Sequence, residues 1–111
     1  NIRDGVRQRM RLDIVNEVIQ GPGRASCALI CGQDKKDVCI LKIRIACDNR
    51  GKSGGIRAYC LVIKNYRKIL LLGVTSHQRG QNDLSDSAKK MLRELCELVA
   101  EDIEKVMENN D

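Results

Sequence analysis

Apolar and polar residues alternate with two different periods along this chain, and the changes between them mark its elements. Over residues 4–20 the apolar positions Val6, Met10, Ile14 and Val18, flanked by Val15 and Ile19, recur at helical spacing. Asp4 is a candidate N-cap, and Gly21-Pro22-Gly23 ends the helix. The period then drops to two. Residues 25–31 and 38–47 read as strands joined by the polar Gly32 to Asp37 loop, a hairpin. In the second run Cys39, Leu41, Ile43, Ile45 and Cys47 form one buried face, which turns Lys42 and Arg44 to the other. Residues 56–64 and 67–75 read as a second hairpin over Asn65-Tyr66, with Asn65 taking the left-handed conformation of the turn. Ile69 to Leu72 is apolar on both faces, the pattern of a central strand. After a polar stretch, Ser85 opens a second helix with the stripe Ala88, Leu92, Leu95, Val99, Ile103 and Val106. Helix, four strands and helix predict an α+β domain with an antiparallel sheet of about four strands, an N-terminal helix and a long C-terminal helix.

At 111 residues the chain is long enough for one core and too short for a separate catalytic module. It contains no Phe or Trp, so its core is aliphatic and Tyr59 and Tyr66 are its only aromatic residues. The formal charge of +5 conceals a strong asymmetry: residues 1–96 carry 19 basic and 9 acidic side chains, whereas residues 97–111 carry six acids and Lys105. A body of net +10 suits nucleic acid or an acidic protein partner. Four of the six cysteines, Cys39, Cys47, Cys60 and Cys96, stand in apolar registers and read as small hydrophobes. No signal-like segment opens the sequence and no apolar run approaches membrane length, which predicts reduced thiols in a cytoplasmic protein. Asn1 in place of Met predicts a trimmed or incomplete amino end.

Charge changes the picture most at residues 41–57, where five cations and one anion are threaded through the alternation and a glycine-rich turn. If the flanking strands pair across that turn, Lys42, Arg44 and Arg57 converge on one patch, with Arg50 and Lys52 at its rim. A polyanion is the expected ligand. The turn contains Gly51-Lys52-Ser53, the ending of a phosphate-binding P-loop, but position 46 is Ala where that motif needs glycine, and a strand follows where it needs a helix. Nucleotide binding of the P-loop kind is therefore excluded. His77, the sole histidine, sits in a polar loop after the last strand, and histidine is the side chain type suited to proton exchange near neutrality. Cys27, Cys31, Cys39 and His77 match no common zinc spacing, and Ser76-His77 lacks the glycine-flanked turn of a serine nucleophile.

Leu41-Lys42-Ile43-Arg44-Ile45-Ala46, Gly51-Lys52-Ser53-Gly54-Gly55-Ile56-Arg57, the Lys68 to Val74 strand and Asn82-Asp83-Leu84-Ser85 occur in an order that resembles the RelE/ParE toxin superfamily, closest to its HigB-like branch. The resemblance covers roughly residues 39–98 and implies a RelE-like fold. It also implies the toxin of a type II toxin–antitoxin pair, an endoribonuclease that cleaves mRNA on the ribosome without a metal or other cofactor. Arg57 would then stabilise the transition-state phosphate, Lys42 and Lys52 would hold the backbone or move a proton, and Arg44 and Arg50 would bind phosphates. Tyr59 is the expected base-stacking side chain. Where the family carries a lysine after its last strand, this chain has Ser76-His77-Gln78-Arg79, which puts His77 in the catalytic set and Gln78 and Arg79 in the RNA-facing one. A cognate antitoxin, presenting an acidic or amphipathic segment and forming a hetero-oligomer on operator DNA, is implied as a partner, and a membrane is not. Two other readings use the same residues: a nucleic-acid-binding module without cleavage, and a ParE-like toxin that acts on DNA gyrase by protein contact.

Overall fold

The computed structural model describes residues 2–32, 37–45, 55–76 and 84–109, with the side chains of residues 2–4, 6 and 76 left aside. The elements follow in the order α1 (Ile2–Gln20), β1 (Cys27–Gly32), β2 (Val38–Ile45), β3 (Ile56–Ile63), a short 3-10 turn (Lys64–Tyr66), β4 (Lys68–Ser76) and α2 (Asp86–Asn109). The strands form one antiparallel sheet in the order β1-β2-β3-β4. This is the expected α+β architecture.

Helix α1 ends where its sequence stops supporting it. Gly21, at φ +86°, donates its N–H to the carbonyls of Glu17 and Val18 at 3.0 and 3.1 Å, and so satisfies the last turn. The helix lays Met10, Ile14 and Val18 on the sheet face formed by Cys27, Cys39, Leu41, Ile43, Ile45, Ala58, Cys60 and Val62. Val15 and Ile19, expected beside that stripe, point to solvent. Position 17 takes a share of the buried surface instead. Glu17 is 4% exposed, and its Oε2 lies 2.8 Å from the Arg24 guanidinium and accepts the Ser26 hydroxyl at 2.7 Å. Arg24 also donates to the carbonyls of Glu17 and Gly21, so one buried ion pair ties the end of α1 to the approach to β1.

Helix α2 starts with the Ser85 hydroxyl accepting the Ala88 N–H at 3.2 Å, an N-cap. It covers part of the opposite sheet face, where Cys31, Val38, Ile40 and Leu61 surround Cys96, with Leu92, Val99 and Ile103 packed around them. The Cys96 thiol points at the Val38 carbonyl, 3.7 Å away. Gly32 permits this approach. At φ +82°, a Cβ there would lie 2.6 Å from the Val38 carbonyl oxygen and 3.0 Å from Cys96 Sγ.

Two further expectations are corrected. In the β3–β4 turn the left-handed residue is Arg67, at φ 52°, rather than Asn65; its N–H returns to the Lys64 carbonyl at 3.0 Å. Strand β4, expected at the sheet centre, is an edge strand. Leu70, Leu71 and Leu72 are 49%, 56% and 37% exposed. Its two-faced apolar pattern reflects missing cover, because both helices pack chiefly on β1 and β2.

Candidate nucleic-acid interface

Strand pairing builds the site. In the β2–β3 ladder Arg44 stands directly opposite Arg57 and Lys42 directly opposite Tyr59, so all four side chains leave the sheet on one face. That face is the one α2 covers elsewhere. Along β2 it reads Val38, Ile40, Lys42, Arg44, and along β3 it reads Ile63, Leu61, Tyr59, Arg57: an apolar half beneath the helix, then a basic half. The convergence of Lys42, Arg44 and Arg57 expected from parity is thus what the ladder produces.

Lys42, Arg44 and Arg57 are each half-buried. Two like charges directly opposite on adjacent strands disfavour the pairing unless an anion lies between them. Arg44 is held close by its backbone, whose N–H donates to the Ser26 carbonyl at 2.9 Å. Its Nε is buried without a hydrogen-bond partner among the described residues. A buried N–H left unpaired costs about 1–3 kcal/mol, and an oxyanion between Arg44 and Arg57 would satisfy it. The chemistry available to these side chains is phosphate binding and stabilisation of charge on phosphorus.

Tyr59 fills a different place from the one expected. At 5% exposed it is packed at the boundary between the apolar and basic halves, and a base stacks only on an open ring face. Its role is to wall the patch. Lys52, Arg50, His77, Gln78 and Arg79 lie outside the described residues. Cys47 does too. The five described cysteines are all buried and form no disulfide, and for Cys39, Cys60 and Cys96 burial is what the apolar register predicts.

Thr75 was missing from the sequence-derived set. Counting back from the β3–β4 turn puts Val74 beside Arg57, but a bulge at Leu71–Gly73 adds one residue and brings Thr75 opposite Arg57 and Gly73 opposite Tyr59. An exposed hydroxyl therefore extends the basic half onto the third strand. The glycine beside Tyr59 was the available signal, since glycine within a strand often marks a bulge.

No described helix is long and apolar enough to cross a membrane. Comparison with protein-family models, curated proteins and solved structures gave no match to this chain.

Proposed function

We propose that this protein is a metal-independent endoribonuclease of RelE type, the toxin of a type II toxin–antitoxin pair, acting on mRNA at the ribosome in the cytoplasm. The observation that carries this reading is the opposition of Arg44 and Arg57 across β2 and β3, with Lys42 on the same face and the buried Arg44 Nε unpartnered among the described residues. Cleavage by the ribose 2′-oxygen needs an oriented phosphodiester, neutralised phosphorane charge and assisted proton transfer. Arg57 supplies the charge stabilisation, Arg44 and Lys42 fix the phosphate, and Lys52 or His77 moves protons. The basic body suits an acidic antitoxin segment as inhibitor.

The test is addition of purified protein to a translating extract, with mapping of mRNA 5′ ends. New ends are expected with the wild type and are expected to disappear with Arg57→Ala. Intact mRNA in the presence of wild-type protein that still binds RNA would favour the second reading, a binding module without cleavage.

A further inference from the structure

Strand β4 ends the sheet with a backbone edge that pairs with no other strand among the described residues. Natural edge strands are usually guarded by charge, proline or a covering element. Residues 69–76 contain neither a charged residue nor proline, and the helices pack chiefly over β1 and β2. Apolar side chains project on both faces of this edge. Leu71 and Val74 lie on the α1 side, opposite Cys60 and Ala58, and are 56% and 45% exposed. Leu70 lies on the α2 side, opposite Leu61, and is 49% exposed.

We propose that the occupant of this edge is β4 of a second copy of the chain, paired antiparallel about a two-fold axis. A helix laid against the edge would cover one face; covering both takes a strand that is itself apolar on both faces, and β4 is such a strand. The bulge restricts the register. Residues opposite one another must leave the sheet on the same side, and the bulge inverts the alternation between Leu71 and Gly73. An axis between Leu72 and Gly73 meets that condition. It sets Leu71 against the other copy's Val74, and Leu70 against its Thr75. In this register Lys64, Arg67 and Lys68, at and before the strand's start, stay far from their own symmetry mates.

The axis is perpendicular to the sheet, so the two basic faces point the same way. Their β3 strands lie three strand spacings apart, about 14 Å. Two patches on one side of an eight-stranded sheet can follow a single polyanion, although the association itself does not depend on the ribonuclease reading.

Sedimentation of the full chain without RNA tests the proposal. A monomer–dimer equilibrium is expected that tightens as salt rises from about 0.05 to 0.5 M, since two copies of net charge +5 repel less when screened. Leu71→Lys is expected to weaken the dimer at least about tenfold while circular dichroism is unchanged, with Val74→Lys as the second variant should the first fail to fold. Amide exchange in β4 is expected to slow as protein concentration rises. A protein that stays monomeric at every concentration, a dimer indifferent to both variants, or an edge that takes an added acidic peptide but never its own copy overturns it.

Discussion

Single residues decide more here than their neighbours suggest. Arg57 is one of eleven arginines by composition alone, yet only it faces Arg44 across a ladder while Thr75 flanks it on the far side. Arg57→Ala is expected to abolish mRNA cleavage and leave the fold intact, because the side chain belongs to neither apolar cluster; cleavage mapping together with thermal melting checks both halves. Gly32 is constrained by space and conformation together. Gly32→Ala forces a left-handed alanine onto the Val38 carbonyl and is expected to cost roughly 2–5 kcal/mol in denaturant unfolding. The Glu17–Arg24 pair is asymmetric. Arg24→Ala removes the cation from a carboxylate that is almost fully buried and is expected to cost about 3–5 kcal/mol, whereas Glu17→Ala leaves a guanidinium that still reaches water and is expected to cost less. Urea unfolding of the two variants orders them.

The strand pair is the scale at which the site exists. Lys42, Arg44 and Arg57 are separated in sequence by up to fifteen positions, and the β2–β3 register gathers them. Binding to single-stranded RNA is accordingly expected to fall with salt. Three phosphate contacts predict a slope of about −2 in log affinity against log salt, and Arg44→Gln is expected to reduce it by about 0.7, measured by fluorescence titration. Much of this was legible beforehand: period-two alternation sorts side chains by face, so parity alone put Lys42 and Arg44 opposite the core. The bulge in β4 was not legible, since one added residue leaves composition unchanged and shifts every later partner; hence Thr75 rather than Val74 stands beside Arg57. The burial of Tyr59 was equally hidden. It depends on where α2 stops covering the sheet.

At the level of the whole molecule, the thiols set a limit on stability. Burial, and then the neighbouring Cys96, pushes the Cys31 thiol up to about 11; burial, and then Cys27, does the same for Cys60. Both stay protonated in the fold at pH values where the unfolded chain, with thiols near 9, has already ionised. The unfolded state then binds fewer protons than the native one. Stability is therefore expected to be unaffected by these groups below about pH 9 and to fall as pH rises from 9 toward 11, as urea midpoints across that range will measure. Native thiols are likewise expected to react slowly with alkylating agents, because the thiolate is the nucleophile.

The sequence by itself determined the order and type of the elements, the aliphatic core and the face on which the cations stand, because these follow from periodicities fixed by backbone geometry. Tertiary structure alone decided which strand would be the edge, since an apolar run looks the same whether another element covers it or water does. It also decided that an acid, Glu17, would share the buried surface of α1. A carboxylate tolerates burial only where a cation and a hydroxyl reach it, and Arg24 and Ser26 arrive there only after the chain has turned at Gly21.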